Sequence, residues 1–133
     1  MTLLLDTHVL VWAESLDDRL GTDTRRLLLD PANDLLVSPV SSLELSRLIA
    51  LSRFSLRKPL GDWFEEARRN LGFEDAPFTH RIAMASYELP GVFHKDPADR
   101  MLVATARQLD VTLLTADDAI LGYPDVKCLD ARG

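Results

Sequence analysis

Short apolar runs separated by longer amphipathic segments set the pattern of this chain. The runs Leu3–Leu5, Leu35–Val37 and Thr112–Leu114 have no polar face, which predicts strands that are buried on both sides of a sheet. Two weaker strand candidates are Phe73–Phe78, where an internal proline limits pairing, and Val126–Leu129. The chain therefore offers five strand candidates, spread along its whole length.

Between these runs, apolar residues recur at the spacing of helices that bury one face. The predicted helices span residues 7–14, 22–30, 41–51, 60–71, 79–89 and 97–109, and a short helix follows residue 117. Because strands alternate with helices, the order predicts βαβ units and a mainly parallel sheet with helices on both faces. We therefore expect residues 1–133 to form one α/β domain, a three-layer α/β/α sandwich.

Composition places the chain among globular proteins of the cytoplasm. Apolar residues make up 47% of the chain and charged residues 27%, and no apolar run is long enough to cross a bilayer. No basic residue precedes Arg19, so the apolar start does not resemble a signal peptide. A single cysteine, Cys128, excludes an internal disulfide framework. The histidines His8, His80 and His94 are scattered, which predicts no zinc-type cluster.

The net charge of −6 argues against a general nucleic-acid coat, because phosphate neutralisation needs surplus Lys and Arg. The charge is nevertheless uneven, since residues 1–18 and 108–126 contain acids but no Lys or Arg. A basic group lies between them, at Arg47, Arg53, Arg57, Lys58, Arg68 and Arg69. A solvated face is the default interpretation of this group. The alternative is a nucleic-acid-binding flank beside an acidic pocket, with Arg47, Arg53, Arg57 and Lys58 as the candidates.

Acidic residues fall repeatedly at one kind of position, the end of a strand or the start of a helix. The five are Asp6, Glu44, Asp96, Asp99 and Asp117. In an open parallel sheet these positions share one edge, where ligands bind at the point at which the strand order reverses. Such a group of carboxylates repels itself unless a cation joins it. Oxygen ligands favour Mg²⁺ or Mn²⁺ over zinc.

Helix capping is the competing explanation for the same acids. Ser41 and the acid three residues later have the spacing of a capping box, and Asp96 and Asp117 fit N-caps. Asp6 fits capping least, because Thr7 is available to cap the first helix. Capping explains each acid singly but not their shared edge, and a capping carboxylate can still turn an oxygen toward a metal.

Three hydroxyl residues and one arginine accompany the acids. Thr7, Ser41 and Thr115 either support ligand carboxylates or act only as caps. Arg100, directly after Asp99, either contacts a phosphate or pairs with a nearby acid. The sequence leaves both pairs of interpretations open.

Four motifs resemble those of the PIN-domain ribonucleases, and in particular the VapC-like toxins of prokaryotic toxin–antitoxin pairs. They are Leu-Leu-Asp-Thr-His at 4–8, Ser-Ser-Leu-Glu at 41–44, Asp-Pro-Ala-Asp-Arg-Met-Leu-Val-Ala-Thr-Ala at 96–106 and Leu-Leu-Thr-Ala-Asp at 113–117. Each motif alone has little specificity. Four in this order along the chain are much more specific.

The resemblance implies a PIN-like fold and a metal-dependent endoribonuclease that acts as a toxin. It implies a quartet of acids that binds Mg²⁺ or Mn²⁺ and cleaves RNA: Asp6, Glu44, Asp99 and Asp117. Asp99 is the third acid because it directly precedes the run ending in Ala-Thr-Ala, which leaves Asp96 as an accessory residue together with Thr7, Thr115 and Arg100. The expected partners are RNA, a cognate antitoxin and a second copy of the chain, with no membrane.

The chain departs from the resemblance at one position, and two other functions stay open. Many of these ribonucleases carry a lysine one turn after the second acid, where this chain has Leu48. A phosphoacceptor receiver domain would need an Asp ending the middle strand and a Lys after the last strand. The candidate middle strand ends at Ser38, and Lys127 falls inside the last predicted strand. A non-catalytic PIN-like binding module is the other alternative, against which the four intact acids count.

Overall fold

A computed structural model describes all residues, 1–133. Its five strands are β1 (Thr2–Leu5), β2 (Asp34–Val37), β3 (Glu74–Asp75), β4 (Thr112–Thr115) and β5 (Cys128–Asp130). They form one sheet in the order β3-β2-β1-β4-β5, and every neighbouring pair is parallel. The parallel sheet predicted from the alternation of strands and helices is confirmed.

Seven helices connect and flank these strands. They are α1 (Thr7–Ser15), α2 (Thr22–Leu29), α3 (Pro39–Ala50), α4 (Leu60–Leu71), α5 (His80–Ala85), α6 (Pro97–Leu109) and α7 (Asp118–Leu121). None of them combines the length and the apolar character that a transmembrane helix requires.

Both faces of the sheet are covered, and the alternation along β1 shows how. Leu3 and Leu5 point into a core shared with α1 and α4, whereas Leu4 points into a second core shared with α6. All three side chains are fully buried, and burying one leucine contributes about 1.5–3 kcal/mol. The predicted three-layer α/β/α arrangement is therefore confirmed.

Several predicted boundaries differ from the structure. Helix α5 ends at Ala85 rather than near residue 89, and the Ser86 carbonyl accepts a hydrogen bond from the Arg100 side chain instead of from a helical N–H. Helix α3 begins at Pro39, two residues before the predicted start, because the Ser38 side chain caps it. Strand β5 is shifted to Cys128–Asp130, pairing with the end of β4, and β3 has only two residues.

The middle strand of the sheet is β1, and the prediction that Leu35–Val37 holds the middle is wrong. The pairing of β1 with β2 on one side and β4 on the other explains this, since the chain leaves β1 and returns on both sides of it. The strand order therefore reverses between β1 and β4. In open parallel sheets this is where the carboxyl ends of strands leave a crevice for ligands.

Candidate metal centre

Asp6 lies at this reversal point, directly after β1, and only 4% of it is exposed. Its Oδ2 accepts a hydrogen bond from the Thr115 hydroxyl at 2.7 Å, and its Oδ1 accepts one from the Thr7 backbone N–H at 2.7 Å. Asp6 is thus the N-cap of α1, and the interpretation of Thr7 as that cap is wrong. The extended backbone at the strand end turns the Asp6 carboxylate onto the helix start, so one side chain caps the helix and lines the crevice.

The Thr7 hydroxyl serves a different purpose, because it donates a 2.9 Å hydrogen bond to Ser41 Oγ. Both residues are buried, so the bond fixes the start of α1 against the first turn of α3. The predicted capping box at Ser41 is also wrong, since α3 begins at Pro39 and Ser41 lies inside it. Glu44 lies further along the same helix, and its carboxylate accepts no hydrogen bond from the protein.

The two acids at the start of α6 have separate roles. Asp96 is exposed and is the N-cap, accepting a 2.9 Å hydrogen bond from the Asp99 backbone N–H, with Pro97 at the first helical position. The N-cap prediction for Asp96 is confirmed. The Asp99 side chain is only 14% exposed, and apart from a 3.0 Å contact between its Oδ2 and His94 Nε2 its oxygens have no partner in the protein.

Asp117 caps α7, as predicted, and keeps part of its carboxylate free. Its Oδ1 accepts hydrogen bonds from Ala119 N–H at 2.8 Å and Ile120 N–H at 3.2 Å, whereas Oδ2 accepts none. The Asp117 backbone N–H donates to Thr115 Oγ1 at 3.0 Å. The same threonine hydroxyl therefore hydrogen-bonds to both Asp6 and Asp117, so Thr115 fixes the relative positions of these two residues.

The electrostatics show that the four acids share one crowded space. Burial raises the pKa of Asp99 to about 8, and the neighbouring carboxylates add to that shift. These neighbours, in order of effect, are Asp6, Asp96, Asp117 and Glu44. Burial also raises the pKa of Asp6, against the lowering effect of the Thr115 hydrogen bond, and Glu44 raises it further. At neutral pH the cluster therefore favours a bound proton or a cation.

The donor set fits a divalent cation. Glu44, Asp99 and Asp117 offer carboxylate oxygens without hydrogen-bond partners, and each Asp6 oxygen keeps a second lone pair. Hard cations such as Mg²⁺ and Mn²⁺ prefer such ligands. A cation is the one kind of ligand that would relieve the mutual repulsion without protonating the acids.

A histidine missed by the sequence reasoning completes the edge. His94 Nε2 lies 3.0 Å from Asp99 Oδ2, and donor atoms of His94, Asp99 and Asp117 all lie within 4.8 Å of one another. His94 therefore lies beside two of the predicted site acids, a placement that the expectation of no zinc-type cluster did not address. It lies in the loop before α6, outside any periodic pattern. The one feature of the sequence that could have revealed His94 as a site residue is its position two residues before the Asp96 N-cap.

The interpretation of Arg100 as the partner of a nearby acid is wrong, whereas its contact with a phosphate stays a prediction. Its guanidinium forms no ion pair and instead donates hydrogen bonds to three backbone carbonyls, of Ser86 at 2.9 Å and of Phe93 and His94 at 3.1 Å each. It also lies over the Tyr87 ring, 4.8 Å from the centroid. Through these three hydrogen bonds Arg100 holds the loop between α5 and α6.

The candidate RNA-binding residues have different surroundings. Arg47 is exposed and lines a cavity of about 250 Å³ together with Glu44 and Asp96, so it borders the acidic edge. Arg53 and Arg57 are exposed at and beyond the end of α3 and form no ion pair within 4.0 Å. Lys58, by contrast, pairs with Glu66 of α4.

Comparison with known proteins gives independent evidence for the family of this chain. The family model described as PIN domain matches residues 3–125. A protein named Ribonuclease VapC22, from Mycobacterium tuberculosis, is 31% identical over 116 residues, which is 87% of each chain.

Solved structures share the fold over nearly the whole chain. VapBC2 from Rickettsia felis, bound to a DNA fragment from its promoter, aligns with a TM-score of 0.68 at 18% identity, covering 97% of this chain and 98% of the other. A toxin–antitoxin complex from Klebsiella pneumoniae aligns with a TM-score of 0.61 at 19% identity, covering 97% of each chain. The match to the family model, which extends over most of the chain, shows that this protein belongs to the PIN domain family.

Proposed function

We propose that this protein is a metal-dependent endoribonuclease and the toxin of a toxin–antitoxin pair. The observation that carries the proposal is the convergence of Asp6, Glu44, Asp99 and Asp117 at the reversal point, with the pKa of Asp99 raised to about 8. Membership of the PIN family and the 31% identity to a protein named a ribonuclease support the same activity.

The proposed ligands of Mg²⁺ or Mn²⁺ are these four acids. When bound, the cation supplies a Lewis acid for a phosphodiester oxygen and lowers the pKa of water. Asp6 is the most firmly held of the four, since both of its oxygens are hydrogen-bonded to the protein. The Asp99 and Glu44 carboxylates accept no hydrogen bond from the protein, so they would contribute oxygen ligands whose negative charge offsets that of the cation.

The remaining residues of the edge prepare this arrangement before the substrate arrives. Thr115 fixes Asp6 relative to Asp117, and the bond between Thr7 and Ser41 fixes α1 against α3, the helix that carries Glu44. Asp96 keeps the start of α6 wound, so that Asp99 faces the crevice rather than capping its own helix. Ligands held in place in advance lose little freedom on binding.

RNA would approach from the basic side of the edge. Arg47 borders the cavity next to Glu44 and Asp96, and Arg53 and Arg57 extend the positive surface with no acid to neutralise them. Lys58 contributes less, because Glu66 already pairs with it. The net charge of −6 is compatible with this, because the cation and the basic side chains, rather than the whole surface, would meet the RNA.

The proposed protein partners are a cognate antitoxin and a second copy of the chain, acting in the cytoplasm. One fold neighbour is a toxin–antitoxin complex, which supports the first partner. Exposed apolar side chains on and after α5, namely Met84, Tyr87 and Val92, support a protein contact on that side.

A receiver domain is not proposed as an alternative, because the chain matches the PIN family over most of its length. Contrary to the expectation that the middle strand ends at Ser38, the middle strand is β1, and Asp6 directly follows it. Lys127 also precedes β5 instead of lying inside it.

Cleavage of a panel of single-stranded and stem–loop RNAs tests the proposal. Purified protein is incubated with Mg²⁺, Mn²⁺ or excess chelator, with duplex DNA as the control substrate. We expect discrete RNA fragments with either metal, none with chelator and intact DNA. Equal cleavage in chelator, or no cleavage of any RNA with either metal, would contradict the proposed activity.

A further inference from the structure

The side chain of His94 is directed at the acidic edge from the loop between α5 and α6. Its Nε2 atom lies 3.0 Å from Asp99 Oδ2, and donor atoms of His94, Asp99 and Asp117 lie within 4.8 Å of one another. His94 thus offers a nitrogen donor to a group otherwise made of oxygens. No position in the predicted quartet corresponds to it.

The His94 Nε2 atom is buried and has no hydrogen-bond partner. The nearby Asp99 oxygen is close enough for a hydrogen bond but is not aligned with the nitrogen, so none forms. Only one other buried side-chain polar atom of the chain, Glu14 Oε2, shares this condition. Buried polar atoms are nearly always paired, and an unpaired one calls for an explanation, such as an ion that binds there.

The protein holds this imidazole in place. Arg100 donates hydrogen bonds to the backbone carbonyls of Phe93 and His94, which ties the loop to α6. The Phe93 ring packs against the imidazole with centroids 4.5 Å apart and against Tyr123 with centroids 4.9 Å apart. Tyr123 in turn donates a hydrogen bond to the Pro90 carbonyl. These contacts fix the backbone at His94 and one face of its ring, while 35% of the side chain stays exposed.

We propose that His94 is a ligand of the divalent cation through Nε2, next to Asp99, and that it biases the site toward Mn²⁺ over Mg²⁺. This inference rests on the proposed metal site. The 3.0 Å separation of His94 Nε2 and Asp99 Oδ2 would allow one ion to reach both atoms.

The metal preference follows from the chemistry of the donors. Both ions bind oxygen ligands, but Mg²⁺ is held almost wholly by oxygen and gives up its water ligands reluctantly, whereas Mn²⁺ is a first-row transition ion that also accepts an imidazole nitrogen. Replacing one oxygen or water ligand by the His94 nitrogen therefore strengthens Mn²⁺ binding more than Mg²⁺ binding. Arg100 is then a positioning residue for this ligand, which explains why it makes no contact with the acids.

Pulsed electron paramagnetic resonance of the Mn²⁺-loaded protein tests the assignment, because a directly bound imidazole nitrogen couples to the Mn²⁺ electron spin. The variants are His94→Ala and His94→Phe, the second of which preserves the ring packing against Phe93. His80→Ala is the matched control, since His80 is an exposed histidine of α5. Calorimetric titration gives the Kd of Mn²⁺ and of Mg²⁺ for each protein.

The nitrogen coupling should be present in the unmodified protein and in His80→Ala and absent in both His94 variants. The Kd of Mn²⁺ should rise about tenfold or more in the His94 variants, the effect expected when a group of a metal site is lost, and the Kd of Mg²⁺ should rise less. Bound Mn²⁺ without nitrogen coupling, or coupling that persists in the His94 variants, would overturn the assignment while leaving the acidic site intact. Failure of the unmodified protein to bind Mn²⁺ at all would overturn the proposed metal site and this inference together.

Discussion

The Thr115 hydroxyl donates a 2.7 Å hydrogen bond to Asp6 Oδ2, joining two residues that are 109 positions apart in the chain. It does so across the ends of β1 and β4, the strands between which the sheet order reverses. The Thr115 hydroxyl oxygen also accepts a hydrogen bond from the Asp117 backbone N–H at 3.0 Å. One buried hydroxyl therefore sets the relative positions of two proposed metal ligands.

Replacing Thr115 with valine should destabilise the fold and weaken metal binding. The substitution keeps the shape of the side chain but removes one donor and one acceptor, leaving buried Asp6 Oδ2 without its partner. We expect the free energy of unfolding to fall by about 1–3 kcal/mol in denaturant titrations with chelator present. Thr115→Ser retains the hydroxyl and should stay close to the unmodified protein. Equal stability of all three proteins would contradict this role for Thr115.

The stability of the metal-free protein should decrease as the pH rises from about 4 to about 8. The folded pKa of Asp99, about 8, exceeds the ordinary value of 3.8, so protonated Asp99 favours the folded state. Its contribution is complete below pH 3.8 and is lost as the pH rises through 8. Saturating Mn²⁺ should reverse this trend, because the metal binds the deprotonated acids. Melting temperatures between pH 5 and pH 9, with chelator and with Mn²⁺, measure both slopes.

The Asp99→Asn variant provides the control for that experiment. It removes the titrating group, so the pH dependence of its metal-free melting temperature should be shallower than that of the unmodified protein. Identical slopes for the two proteins would assign the pH dependence to other groups.

Replacing Arg100 with lysine should loosen the loop between α5 and α6. A lysine cannot reproduce the fork that reaches the carbonyls of Ser86, Phe93 and His94, so at least one is left unpaired. Loss of a charged donor of this kind lowers the free energy of unfolding by about 1.5–3 kcal/mol. Arg81→Lys, an exposed position on α5, is the matched control and should have no effect. Faster amide exchange confined to the loop before α6 would locate the change, and unchanged exchange there would contradict it.

Replacing Arg47 with alanine should weaken RNA binding more than replacing Lys58, because Lys58 is already paired with Glu66. Binding to uncut RNA is measured in the Asp99→Asn background at several salt concentrations. Loss of one phosphate contact on a single strand lowers the slope of log affinity against log salt by about 0.7. Arg26→Ala on α2 is the control for a general charge effect. Equal loss for all three substitutions would mean that RNA is attracted by overall charge alone.

Much of the fold could be predicted because the three central strands contain short apolar runs separated by amphipathic helices. The runs Leu3–Leu5 and Thr112–Leu114 lie within β1 and β4. The acids that follow them lie at one edge of the sheet, as parallel topology requires. Helix starts were less certain wherever several polar residues could act as the cap. Ser38, placed before Pro39, caps α3 although Ser41 has the more familiar spacing.

The rest depended on contacts that no local pattern encodes. Whether Asp6 or Thr7 caps α1 is decided by Ser41, which accepts the Thr7 hydroxyl from another helix. His94 lies in an irregular loop, and Arg100 orients that loop through backbone carbonyls rather than through an acid. Irregular loops carry no periodicity, so such placements become visible only in three dimensions.

The most direct test of the central claim compares RNA cleavage by Asp99→Asn and Asp96→Asn under identical conditions with Mn²⁺. Asn caps a helix about as well as Asp, so both variants keep the start of α6 intact, as melting temperatures with chelator will verify. Asp99 faces the other acids with free oxygens, whereas the Asp96 side chain is committed to the Asp99 N–H. We predict that Asp99→Asn abolishes cleavage and that Asp96→Asn retains much of it. Full activity in Asp99→Asn would contradict the account, whatever the result for Asp96→Asn.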